Sequence, residues 1–92
     1  MATPSALSPA ASSAVIRIID MRKHPSLETA RAGKTDITIS YMYGAEGPFT
    51  ATIPYEEIGG KSVEEQNKAV LKYVKAAQAE RLSFKGREIP VV

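Results

Sequence analysis

The chain has 92 residues, a formal net charge of +2 and no cysteine. This length allows no more than one domain, and the absence of cysteine excludes disulfides and thiolate metal sites. There is no apolar run of the roughly 20 residues that cross a membrane and no secretory leader, so we expect a soluble, intracellular protein of the cytoplasm.

The first part of the chain divides into an arm and a strand. Residues 1–13 are almost entirely Ala, Ser, Pro and Thr, a composition that predicts a flexible arm, and residues 14–92 are then one α+β domain. The β-branched run from Ala14 to Met21 predicts a strand. Because its two faces are both largely apolar, we expect it to be covered on more than one side.

A long connection follows, over residues 22–34. We predict mostly loop, with one helical turn between Ser26 and Gly33. Its basic residues form the loop cluster, which is a candidate anion or nucleic-acid site: Arg22, Lys23, Arg31 and Lys34. A solvated basic loop is the alternative.

The stretch 36–54 predicts a β-hairpin, because apolar residues alternate on both sides of the turn-rich segment 44–48. If both apolar sets share a face, the register opposes Tyr43 to Phe49, Tyr41 to Ala51 and Ile39 to Ile53. The opposite side of this hairpin carries no charge, although exposed sheets usually carry charges that discourage pairing. We call its residues the hairpin face and predict that it is an interaction face, covered by the first strand, the C-terminal tail or another protein: Thr38, Ser40, Met42, Thr50 and Thr52.

One amphipathic helix follows the hairpin. Ser62 and Glu65 form a capping-box pattern, which predicts a helix from Val63 to about Arg81. Its apolar stripe, expected to lie on the hairpin, is Val63, Val70, Tyr73, Val74 and Ala77. The basic residues beside and on its outer side form the lysine stripe, a second candidate nucleic-acid contact: Lys61, Lys68, Lys72 and Lys75. The tail after the helix fits a short closing strand or an extended segment packed on the domain.

The sequence offers no complete set of catalytic groups. Gly60-Lys61-Ser62 matches the end of a phosphate-binding loop, but Tyr55 occupies the position of its first glycine. His24 is the only histidine, so a Cys/His metal site is excluded. We therefore predict no catalytic, metal or cofactor site and no enzymatic activity.

These elements predict a three- or four-stranded antiparallel sheet in β-β-β-α order, covered by one C-terminal helix. A domain this small is near the lower limit for a self-sufficient core, which favours self-association or a protein partner. We expect a non-enzymatic interaction or assembly module, with a nucleic-acid-binding module as the alternative.

Two resemblances bear on this expectation. The β-β-β-α order resembles that of the arm-type DNA-binding domains of tyrosine integrases, which bind DNA with the sheet. Residues 36–57 here contain no basic residue, so the resemblance does not extend to the DNA-binding surface. The combination of an Ala/Ser/Pro arm with a small domain resembles subunits of phage and virus particles, which implies a structural subunit of a larger assembly.

Overall fold

The computed structural model describes residues 14–91, so the predicted arm lies outside the described residues. A three-stranded antiparallel sheet in the order β1-β2-β3 is followed by one α-helix that packs on it. The elements are β1 (Ile16–Pro25), β2 (Thr35–Tyr43), β3 (Glu46–Pro54) and α1 (Val63–Phe84), with short 3-10 helices at Thr29–Arg31 and Tyr55–Glu57. The predicted α+β class and β-β-β-α order are confirmed, with three strands in residues 14–91.

The core lies between α1 and the inner side of the hairpin strands, which we call the core face of the sheet. Alternation on β2 and β3 directs every second side chain to this face. The buried cluster is Ile37, Ile39, Tyr41, Ala51, Ile53 and Val74. Each large apolar side chain buried in this way contributes about 1.5–3 kcal/mol.

The hairpin register differs from the prediction by two residues. Tyr41 opposes Phe49, Ile39 opposes Ala51 and Ile37 opposes Ile53. The physical reason is the turn: β2 ends at Tyr43 and β3 begins at Glu46, so residues predicted to belong to the turn are part of the strand. An irregularity between Tyr41 and Tyr43 accommodates the extra β3 residue. Because the shift is two residues, the predicted apolar set still shares one face.

The first strand also differs from the prediction. It runs from Ile16 to Pro25 instead of ending at Met21, because its pairing with β2 continues to Pro25 opposite Thr35. The predicted connection therefore begins only after Pro25, and a 3-10 turn replaces the helical turn expected from Ser26 to Gly33. The prediction that β1 is covered on more than one side is wrong, because residues 17–23 are all exposed.

The helix begins as predicted and ends one turn later. Both hydrogen bonds of the Ser62–Glu65 capping box are present, and α1 continues to Phe84. Val63 is 71% exposed and lies outside the core, contrary to the predicted stripe, whereas Ala69 and Gln78 are buried. Residues 85–91 are exposed and form no strand, so neither prediction for the tail holds.

A chain of polar side chains, buried at Tyr41 and Gln78, links the helix to the sheet. Gln78 Nε2 donates to the Tyr41 hydroxyl at 2.9 Å. Arg81 donates through Nε and Nη2 to Gln78 Oε1, at 3.2 and 3.0 Å, and also reaches Glu46 at 3.4 Å. Burial of polar groups is tolerated when they are hydrogen-bonded in this way.

Candidate interaction surface

The side of the sheet away from α1, the open face, carries the hairpin face as predicted from alternation. Thr38 lies opposite Thr52 and Ser40 opposite Thr50, while Met42 lies opposite Arg17 of β1. The predicted register, extended to this face, would oppose Ser40 to Thr52, and the two-residue shift gives the first two pairs instead. Thr50 and Thr52 are exposed, and the other three are partly covered.

The first strand adds charged side chains to this open face. Arg17, Asp20, Arg22 and His24 lie opposite Met42, Ser40, Thr38 and Asp36. All of these strand residues except Arg17 and Met42 border a concavity of about 620 Å³, together with Thr50 and Thr52 of the hairpin face and the loop at Leu27 and Glu28. The open face is therefore charged along β1 and, apart from Asp36 at the start of β2, uncharged across β2 and β3.

A chain of hydrogen bonds crosses the three strands on this face. His24 Nδ1 lies 2.8 Å from the Pro25 carbonyl oxygen, which can only accept, so Nδ1 carries the proton and donates. In the neutral imidazole, His24 Nε2 then accepts from the Thr38 hydroxyl at 2.8 Å. Thr38 Oγ1 in turn accepts from Thr52 at 3.2 Å. These groups satisfy one another and tie the sheet together.

The loop cluster is not a single site. Arg22 lies on the open face, whereas Lys23 lies on the core face with its Nζ 4.2 Å from the centroid of the Tyr55 ring. Arg31 forms ion pairs of 2.7 Å with both Asp36 and Glu56. Lys34 is exposed. The four basic residues therefore do not converge on one point.

The ion pairs of Arg31 shift the titration of its partners. Hydrogen bonds from the Arg31 guanidinium lower the pKa of Glu56 from 4.5 to about 2. The Ser26 hydroxyl, followed by Arg31, lowers the pKa of Asp36. Hydrogen bonds to both carboxylates also raise the pKa of Arg31. Arg31 is thus committed to holding the loop against β2 and the second 3-10 helix.

The lysine stripe is exposed, and carboxylates accompany it. Lys72 Nζ lies 3.9 Å from Glu57 and 5.2 Å from the centroid of the Tyr73 ring. Lys61, Lys68 and Lys72 share a shallow depression with acidic side chains, namely Glu56, Glu57 and Glu65. Positive and negative side chains are therefore mixed on this side of the molecule.

Uncovered apolar residues on β1 are the feature that the sequence did not predict. Ile18 and Met21 face the same side of the sheet as the core, opposite Tyr41 and Ile39. They are 44% and 52% exposed, because α1 lies mainly on β3. Ile19, at the register shift, is 51% exposed. The order of the elements could have indicated this position, because β1 precedes the hairpin of β2 and β3 and pairs with β2 alone.

No three His, Asp or Glu side chains in residues 14–91 converge as metal ligands would. In the same residues, no helix has both the length and the apolar composition of a membrane span. No protein-family model, curated protein or solved structure matches this chain.

Proposed function

We propose that this chain is a non-enzymatic assembly module, which associates with copies of itself through the part of its sheet that the helix leaves uncovered. The observation that supports it is the contrast across one pair of strands. Ile18 and Met21 remain about half exposed, while their neighbours Tyr41 and Ile39 are 0% and 2% exposed. Removing such apolar surface from water favours association by about 25 cal/mol per Å².

The size of the core supports the same proposal. The largest fully buried side chains are Tyr41, Ile53 and Val74, and a domain of this size buries a smaller fraction of its surface than a larger one. A contact between copies would add to this burial. A small repeating subunit of a larger, phage-like particle is a role that such contacts would serve.

The hairpin face is a second proposed contact. Its five positions are uncharged, and all of them except Met42 line the concavity on the open face. Lysines at Ser40 and Thr50, which oppose each other, would place two like charges in its middle. If copies stack here, the Ser40→Lys/Thr50→Lys variant will dissociate, because two unpaired charges would be buried.

The inference that the module is not an enzyme rests on how the polar groups are used. The imidazole of His24 and the hydroxyl of Thr38 are nucleophile-and-base groups in other contexts. Here they join Thr52 in bonds between strands, as part of a hydrogen-bond chain. Their arrangement therefore favours a structural role.

Nucleic-acid binding is the weaker alternative. Arg31 is paired with two carboxylates, and the lysine stripe shares its surface with Glu56, Glu57 and Glu65. A surface that follows a phosphate backbone is more uniformly basic. The charge distribution thus favours protein contacts.

Sedimentation velocity of the full chain over a range of concentrations tests the proposal. We expect the mean mass to rise with concentration, and the Ile18→Thr/Met21→Thr variant to remain smaller than the parent. Leu71→Gln is the matched control, because Leu71 is 42% exposed on the helix and should leave association unchanged. A parent that stays monomeric at the highest attainable concentration would overturn the proposal.

A further inference from the structure

The free edge of β1 differs from the free edge of β3. An outer strand has alternate backbone N–H and C=O groups that face away from its neighbour and can pair with another strand. On β3, Pro48 and Pro54 interrupt this row of donors. On β1, the segment 15–22 contains no proline, and Lys23 and Pro25 come only after it, at the end of the strand. The first strand therefore presents the longer stretch of pairing groups.

An irregularity within β1 determines how that edge can pair. Ile18 lies opposite Tyr41 and Asp20 opposite Ser40, so Ile19 is an extra residue in the strand. Side chains alternate between the faces with a period of two. Up to Ile18 the even-numbered residues lie on the core face, and from Met21 onward the odd-numbered residues do. The inserted residue thus reverses the alternation halfway along the strand.

We propose that two copies of this chain pair through β1, antiparallel and about a two-fold axis that passes between Ile18 and Ile19. The result is a continuous sheet that joins the three strands of each copy. Arg17 of each copy then lies opposite Asp20 of the other on the open face, and Ile16 lies opposite Met21 on the core face. This identification of the contact rests on the proposed self-association.

Face matching and charge together select this register. Directly opposed residues in antiparallel strands share a face. Because the alternation reverses at Ile19, residues before it must pair with residues after it in the other copy if opposed side chains are to share a face. Only two positions of the axis achieve this, one between residues 18 and 19 and one between residues 19 and 20. The second axis would oppose Arg17 to Arg22, a like-charge pair. The first opposes Arg17 to Asp20 twice and uses residues 15–22 alone.

The packing of the two copies follows from the symmetry. A two-fold axis that relates antiparallel edge strands is perpendicular to the sheet, so both helices lie on the same side. Ile18 and Met21 of both copies then meet in the middle of the joined sheet, between the helices. Ile16 of each copy covers part of Met21 of the other, and the uncovered apolar surface of the single chain becomes the centre of the contact.

Charge-reversal variants test the register. Arg17→Glu and Asp20→Lys each create two like-charge pairs between identical copies, and we expect each to raise the dimer dissociation constant about tenfold or more. Mixing the two variants should restore association. In the mixed dimer, the introduced glutamate of one copy opposes the introduced lysine of the other. The remaining native Arg17 and Asp20 also oppose each other. Both positions are exposed, so the circular dichroism of each variant should match that of the parent.

Arg22→Glu is the matched control, because it reverses an arginine on the same strand and face that opposes only Val15 in the proposed register. The competing register predicts that Arg17→Glu strengthens association, and that result would overturn the inference. If the parent associates but the mixed variants do not recover, this contact is wrong while self-association stands. A monomeric parent would remove both.

Discussion

The hydrogen bond between Tyr41 and Gln78 should couple the helix to the sheet in a measurable way. Tyr41 is 0% exposed and Gln78 is 8% exposed, so neither polar group can turn to water if its partner is removed. Tyr41→Phe leaves the Gln78 amide without its acceptor, and Gln78→Met leaves the tyrosine hydroxyl without its donor. Each buried group left unpaired costs about 1–3 kcal/mol.

The double variant should lose much less than the sum of these two costs, because both polar groups are then gone and nothing remains unpaired. We expect a coupling free energy of about 1–2 kcal/mol. The total stability of a domain of this size is about 4–12 kcal/mol, so each single loss is a substantial part of it. For every kcal/mol lost, the melting temperature should fall by about 4–8 °C.

Urea denaturation of the parent, the two single variants and the double variant, at one low protein concentration, completes this cycle. Arg81 also donates to Gln78, but its guanidinium is partly exposed and water can replace that bond. If the double variant loses the full sum of the single losses, the hydrogen bond does not fasten the helix, and apolar packing alone does so.

Three further predictions concern the loop, the turn and the lysine stripe. The folded-state pKa of Glu56 is about 2, below its ordinary value of 4.5, so the stabilisation by Arg31 is present above pH 4.5 and is lost as the pH falls toward 2; Arg31→Met should flatten that dependence of the urea midpoint on pH. Gly47→Ala should destabilise more than Gly33→Ala: both glycines have positive φ, but a Cβ at Gly47 would lie 3.0 Å from the Tyr41 carbonyl oxygen, while one at Gly33 meets nothing within 4 Å; equal melting temperatures would contradict this contact. If the lysine stripe binds phosphates, affinity for random duplex DNA should fall steeply with salt and neutralising the stripe should reduce the slope; no gel shift at low salt would exclude that alternative.

The hairpin shows how far the sequence pattern reaches. Alternation predicted which side chains of β2 and β3 share a face, because that depends only on the pleat of each strand. The register depends on the turn, and the segment 44–48 has turn-forming residues at both ends, Gly44 and then Gly47 and Pro48. Only Gly44 and Ala45 form the turn, and Gly47 and Pro48 lie within β3. Local composition therefore predicted the faces correctly and the pairing incorrectly.

The helix was predicted more accurately at its beginning than in its packing. The capping box at Ser62 and Glu65 is a local interaction, so the sequence was enough to place the first turn. Which side of the helix is buried depends on how the helix lies on the sheet. For this reason Val63 was wrongly included in the core, and the burial of Gln78 beside Tyr41 had no signal in the sequence.

The first strand was misinterpreted for a reason that now supports the proposed function. Apolar side chains on both faces are typical of a central strand, which neighbours cover from two sides. Here β1 is at the edge of the sheet, and Ile18, Ile19 and Met21 are each about half exposed. If a second copy extends the sheet at β1, an edge strand with the composition of a central strand is expected. Pairing through β1 would make it a central strand, and the pattern in the sequence would then describe the assembled protein rather than the single chain.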